Sequence, residues 1–285
     1  MIVTKAMPIS HCYGVTKAIN TALEIRNKYK DKKIYFLGDL VHNQFVIDSF
    51  SKKNIKILKF KNDTFKEILN NIEQDSIVIL SAHGHSKEIE NYLNSKKIKF
   101  YDTTCDRVNR ILHKIQNYKG EIIYIGKKGH PECEASLTYS NNIHLYDINS
   151  SFDYTCLKSE EVLILNQSTL SLLELNSIFN DIKSNIKHPI FSDEICDATR
   201  IRQQKILDLD KSYDLVVIVG DKNSSNSTKL FELAMQNQQR KNIMVNSLQE
   251  LKEHDLKNCK KAYLTSGTST PITLINEIEK YLKEL

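Results

Sequence analysis

Glu121-Ile122-Ile123-Tyr124-Ile125-Gly126, followed closely by Gly129-His130-Pro131-Glu132-Cys133-Glu134, reads as a short buried strand, a glycine-rich turn and the opening of a helix. A brief apolar run bounded by turn residues suits a strand covered on both faces. His130 and Glu132 stand where the strand gives way to the helix, and helix N-termini carry unpaired N–H groups and partial positive charge. Such a pair can hold an anion and move a proton. A single βα turn with a solvated histidine would look the same, so the weight falls on repetition.

The arrangement recurs six times. Apolar runs at 33–37, 76–80, 121–126, 161–165, 214–219 and 261–264 start about 40 to 50 residues apart, the length of strand, loop, helix and return. Each precedes a loop of small, polar or imidazole residues (38–43, 81–85, 126–132, 166–169, 220–227 and 265–269) and then an amphipathic helical pattern. Alternating strands and helices predict a parallel α/β fold, whose ligands bind beyond the carboxyl ends of the strands. All six polar loops lie at such ends.

Three cysteines add a second regularity. Cys12, Cys105 and Cys196 each end a short extended segment and open a helix, predicted over 14–24, 106–116 and 198–209. They are 93 and 91 residues apart, which divides the sequence into three similar thirds with one cysteine and two polar loops apiece. Thirds packed about a pseudo-threefold axis would bring three thiols together. A helix N-terminus favours thiolate, and three convergent thiolates suit an iron–sulfur cluster with one iron lacking a protein ligand. Three ordinary buried cysteines remain the simpler alternative, and structural zinc normally takes four ligands in close pairs. Cys133, Cys156 and Cys259 lack this register and are expected in the core.

Other loops offer phosphate chemistry. His42, His83 and His130 each follow a strand, while Lys222-Asn223-Ser224-Ser225-Asn226-Ser227 and Thr268-Ser269 present hydroxyls, amides and backbone N–H groups at helix starts. That set suits a diphosphate neutralised by imidazolium and hydrogen bonds. Neither G-x-x-x-x-G-K-[ST] nor G-x-G-x-x-G occurs, so a P-loop and a bound dinucleotide are not expected. Any redox chemistry would then draw electrons from another protein.

The 285 residues, 40% hydrophobic and 26% charged, are ordinary for a soluble α/β protein. No apolar run approaches the roughly 18 residues of a membrane span, and Met1-Ile2-Val3-Thr4-Lys5 leads directly into a strand-like segment, so a cytoplasmic protein is expected. The six cysteines form no C-x-x-C pair. A formal charge of +5 is mild, and the lysines, including Lys52, Lys53, Lys56 and Lys59, read as solvated helix faces without a nucleic-acid signature.

Nine motifs in register resemble the 4-hydroxy-3-methylbut-2-enyl diphosphate reductases, the LytB/IspH family. They are His11-Cys12-Tyr13-Gly14-Val15, Val41-His42-Asn43, Ser81-Ala82-His83-Gly84, Asp102-Thr103-Thr104-Cys105, Gly129-His130-Pro131-Glu132, Asn166-Gln167-Ser168-Thr169-Leu170, Ile195-Cys196-Asp197-Ala198-Thr199, 222–227 and 265–269. The resemblance implies a cloverleaf of three similar α/β domains around a central 4Fe–4S cluster, with domains at 13–103, 104–194 and 195–285 and residues 1–12 packing on the third. It also implies Cys12, Cys105 and Cys196 as cluster ligands, with the fourth iron open to substrate. His42, His83, Ser224 and Ser269 would then hold the diphosphate, with Ser225 and His130 nearby, while Ser168 and Asn226 attend the substrate's hydroxyl end beside Glu132, the proton donor. The implied reaction is reductive dehydroxylation to isopentenyl and dimethylallyl diphosphate, with electrons from a ferredoxin or flavodoxin.

Several positions depart from the family pattern. His11 stands where an aromatic residue is usual, Asp106 where proline is, Asp197 where an aromatic often follows, and Ser168 where threonine is. The two acids are expected to lower the cluster's potential. His85 replaces an apolar residue and reads as a solvated surface group. A ligand sensor that keeps the cluster and a serine–histidine phosphate-ester hydrolase are the competing functions. The first has no need of a proton donor at Glu132, and the second would hold no iron.

Overall fold

A computed structural model describes residues 1–38, 44–59, 65–192 and 194–285. The first strand, β1 (Ile2–Lys5), leads to helix α1 (Tyr13–Lys28). A first unit follows: β2 (Ile34–Leu37), α2 (Gln44–Ser51), β3 (Ile55–Leu58), α3 (Phe65–Asn70), β4 (Ile77–Leu80), α4 (Lys87–Ser95) and β5 (Lys99–Asp102). Helix α5 (Asp106–Asn117) leads to a second: β6 (Glu121–Gly126), α6 (Pro131–Leu137), β7 (Ile143–Asp147), β8 (Glu161–Asn166), α7 (Leu172–Asn185) and β9 (His188–Phe191). Helix α8 (Asp197–Leu207) opens the third, with β10 (Leu215–Val219), α9 (Ser225–Met235), β11 (Lys241–Val245), α10 (Leu248–Lys252), β12 (Lys261–Ser266) and α11 (Ile272–Glu284).

The described strands form three four-stranded parallel sheets in the orders β3-β2-β4-β5, β7-β6-β8-β9 and β11-β10-β12-β1. The orders are equivalent, with β1 standing in the third sheet where β5 and β9 stand in the others. The six strands expected from the apolar runs are the two central strands of each sheet. Nearly every residue in them is buried, because helices cover both faces.

Each sheet also has an edge strand, β3, β7 or β11, that the apolar runs did not reveal. These are half-exposed, and Lys56, expected on a helix face, lies in β3. In every sheet the strand order reverses between the two central strands, which makes the crevice at their carboxyl ends a topological switch point. The polar loops flank those crevices.

Candidate active site

Cys12, Cys105 and Cys196 cap the N-termini of α1, α5 and α8 in extended backbone. Each follows the last strand of its sheet order, β1, β5 or β9. Their N–H groups donate at 3.0 Å to three equivalent carbonyls, those of Thr268, Ala82 and Ser168. Each carbonyl lies two residues past the end of the neighbouring central strand, β12, β4 or β8. The helix each cysteine opens packs on the next sheet: Ala18 and Ala22 against Phe36 and Ile79, Ile111 and Ile115 against Tyr124 and Leu165, Ile206 against Val216 and Ile218. Every cysteine is thus the joint between one sheet and the next.

Cations repeat the same cycle. Lys17 on α1 meets Asp106 at 2.7 Å, Arg107 on α5 donates to the Ile195 carbonyl at 3.0 Å, and Arg202 on α8 donates to the Ser10 carbonyl at 2.7 Å. In each case the acceptor lies within two residues of the next cysteine.

The joints bring the thiols together. A Cβ placed on Gly14 would stand 2.8 Å from the Cys105 sulfur, so any side chain there would have to displace that thiol. Cys12 also interacts electrostatically with both Cys105 and Cys196. Burial pushes the Cys12 and Cys196 thiols up, against the pull of nearby hydrogen bonds. Desolvation therefore outweighs the helix N-terminus, contrary to the expectation from position alone. A bound metal reverses that balance, because it deprotonates the thiols it binds. Three adjoining thiols of this kind fit an iron–sulfur cluster.

Glu132 is 1% exposed, at the second position of α6. Ser168 donates to its carboxyl twice at 2.7 Å, from backbone N–H to Oε1 and from hydroxyl to Oε2, and the Tyr124 hydroxyl donates to Oε1 at 3.3 Å. His130 caps the helix, its Nδ1 accepting the Glu132 N–H at 3.2 Å. Burial raises the Glu132 carboxyl above its ordinary value, and the Ser168 and Tyr124 donors reduce that rise. The carboxyl also interacts electrostatically with the Cys196 thiol. A buried carboxyl with a raised pKa thus interacts with one of the thiols.

The described residues expected at the anion lie in the loops or helix starts after β4, β6, β10 and β12. The His83 and His130 rings meet edge to face at 5.8 Å, joining the loops after β4 and β6. Ser224 caps α9, and the Ser225 hydroxyl lies 3.4 Å from that of Thr169 in the loop after β8. A cavity of about 440 Å³ is lined in part by His130, Lys127, Lys128, Lys222 and Ser225. Asn226 is 2% exposed, yet neither its amide nitrogen nor its amide oxygen has a partner among the described residues. A buried side chain left so is suited to a polar ligand. Ser269 is buried, and its backbone hydrogen-bonds His11. His42 lies outside the described residues.

Three expectations fail. His85 is buried: its Nε2 lies 2.7 Å from Glu90 Oε1 and its ring 3.9 Å from Asp102, so two acids hold it inside. Cys156 is exposed, 3.6 Å from the His144 ring, and Cys259 is only partly buried; Cys133 alone of the three is fully buried. Arg202 and Tyr124 were not singled out. A helical arginine and a strand tyrosine carry no local mark of the centre they reach.

The profile of the LytB protein family matches residues 3–283. The chain belongs to the LytB family. Among its relatives, the 4-hydroxy-3-methylbut-2-enyl diphosphate reductase of Bacillus licheniformis is 34% identical over 292 aligned positions, covering 100% of this chain and 91% of that protein. The Bacillus subtilis reductase of the same name is 32% identical, with 100% and 91% covered. The structure of the E-1-hydroxy-2-methyl-but-2-enyl-4-diphosphate reductase from Plasmodium falciparum superposes with a TM-score of 0.86 at 28% identity, covering 99% of this chain and 88% of that one. The α/β architecture of three parallel sheets is that of the LytB fold.

Proposed function

We propose that this LytB protein reduces (E)-4-hydroxy-3-methylbut-2-enyl diphosphate to isopentenyl and dimethylallyl diphosphate, the last step of the non-mevalonate route to isoprenoids. The observation that carries the reading is the junction of three cysteine joints with a buried, doubly hydrogen-bonded carboxyl. Three domains, 13–103, 104–194 and 195–285 with 1–12 on the last, meet there. Cys12, Cys105 and Cys196 would hold a 4Fe–4S cluster, which would supply electrons and Lewis acidity.

The residues of the chain do the rest. His42, His83 and His130, with Ser224, Ser225 and Ser269, neutralise and orient the diphosphate through charge-assisted hydrogen bonds. Asn226 and Ser168 position the hydroxyl end of the substrate. Glu132 supplies a proton as the allylic carbon–oxygen bond breaks, because hydroxide is a poor leaving group and departs as water. The Ser168 hydroxyl, 2.7 Å from Oε2, relays that proton. Two electrons and two protons convert the alcohol to the alkene product and water. The electrons come from a ferredoxin or flavodoxin in the cytoplasm.

The test is anaerobic incubation of the iron-loaded protein with this substrate and a chemical one-electron reductant. Formation of both diphosphate products is expected. A preparation with full iron and sulfide that forms neither contradicts the reading and favours a sensor.

A further inference from the structure

Arg202 is 2% exposed, six residues past Cys196 on α8. Arginine is almost never fully buried without a counter-charge, because desolvating the guanidinium is expensive. Here it donates to two uncharged carbonyls, Ala198 at 2.8 Å and Ser10 at 2.7 Å, while its Nε–H has no acceptor among the described residues. No carboxylate pairs with it among the described residues. The groups it interacts with electrostatically are the thiols of Cys12 and Cys196. Ser10 precedes Cys12 by two residues, and its own N–H is fixed by the Ser266 hydroxyl at 2.8 Å, so the guanidinium is tied to both ligand segments.

The two acids next to the ligands are placed differently. Asp106 and Asp197 both face solvent, and Asp106 pairs with Lys17. Solvent and salt screen charges so placed, whereas a buried charge acts at nearly full strength. The buried guanidinium is therefore screened less than these two exposed acids.

We propose that Arg202 is the internal counter-charge of the iron–sulfur centre, holding its reduction potential up by stabilising the negative charge gained on reduction. This rests on the cluster reading above. Arginine suits the role because it stays charged in a protein interior and offers several donors from one rigid plane. It acts through the cluster and touches no reacting atom of the substrate.

The test is potentiometric titration, without substrate, of anaerobically loaded wild type, Arg202→Met, Arg202→Gln and Arg202→Lys. Iron and sulfide content is read first, and a wild type that takes up neither overturns the cluster reading and this role together. Removing one charge is expected to lower the reduced-to-oxidised ratio at fixed potential about tenfold, a shift of roughly 59 mV for one electron. Arg202→Lys should recover most of that shift. The Met variant guards against misfolding, since a well-packed apolar replacement of a buried charge is commonly tolerated. A loaded Met or Gln variant with the wild-type midpoint overturns the proposal. A Lys variant shifted as far as Met also overturns it, because packing would then be the cause.

Discussion

Ser168 touches Glu132 twice: its backbone N–H and its hydroxyl both donate to the carboxyl at 2.7 Å. The carbonyl of the same residue accepts the N–H of Cys196 at 3.0 Å. One loop residue therefore ties the Glu132 carboxyl to the segment that carries Cys196. The order of strands makes this possible, since β8 lies between β6, which leads to Glu132 at the start of α6, and β9, which leads to Cys196.

Replacing Glu132 with Gln keeps the shape and removes the proton. Turnover is expected to fall about 10² to 10⁴-fold, the usual contribution of a positioned general acid, while iron content stays at the wild-type level. Anaerobic steady-state kinetics alongside iron analysis checks this. Near wild-type turnover would remove Glu132 from the chemistry.

The same substitution affects stability with a definite sign. Burial raises the folded-state carboxyl above its unfolded value. The folded state therefore binds more protons than the unfolded one between the two values, and stability falls as pH rises through that window. Without metal, Glu132→Gln should melt above wild type at neutral pH, and the gap should close below the ordinary carboxylate range. Calorimetry across pH reads both. A gap that does not change with pH would contradict the assignment.

Ser168→Ala removes a donor that lowers the Glu132 carboxyl, so the carboxyl rises further. The proposed mechanism uses the protonated acid, so activity is expected to fall as pH climbs past that value. The alkaline limb of the kcat profile should move to higher pH, with a lower plateau because the relay is gone. Ser168→Thr should restore both. An unmoved limb would separate Ser168 from the acid.

Gly14→Ala places a methyl group 2.8 Å from the Cys105 sulfur. The helix position itself favours alanine over glycine by about 1 kcal/mol, so metal-free stability should change little where the sulfur can give way. Cluster retention should drop sharply, seen as loss of visible absorption during anaerobic gel filtration. Wild-type retention would place the third thiol elsewhere.

Much of this was legible before folding. Strands such as β8, Glu-Val-Leu-Ile-Leu-Asn, announce themselves because both faces are buried. The edge strand β3, Ile-Lys-Ile-Leu, does not, because its outer residues meet solvent and admit lysine. The cysteines were legible by spacing and Glu132 by motif. Arg202 was not: an arginine in Asp-Ala-Thr-Arg-Ile-Arg-Gln-Gln reads as solvated, and only the meeting of α8 with the segment before Cys12 buries it. His85 was misread for a similar reason, since Glu90 and Asp102, which hold it inside, lie on α4 and β5.

Counting iron and sulfide decides whether Cys12, Cys105 and Cys196 hold one cluster. After anaerobic reconstitution the wild-type chain is expected to carry four of each. Serine at any one of the three should leave far less, while Cys156→Ser and Cys259→Ser should match wild type. A full cluster in one of the first three variants, or its loss in either of the last two, would contradict the account.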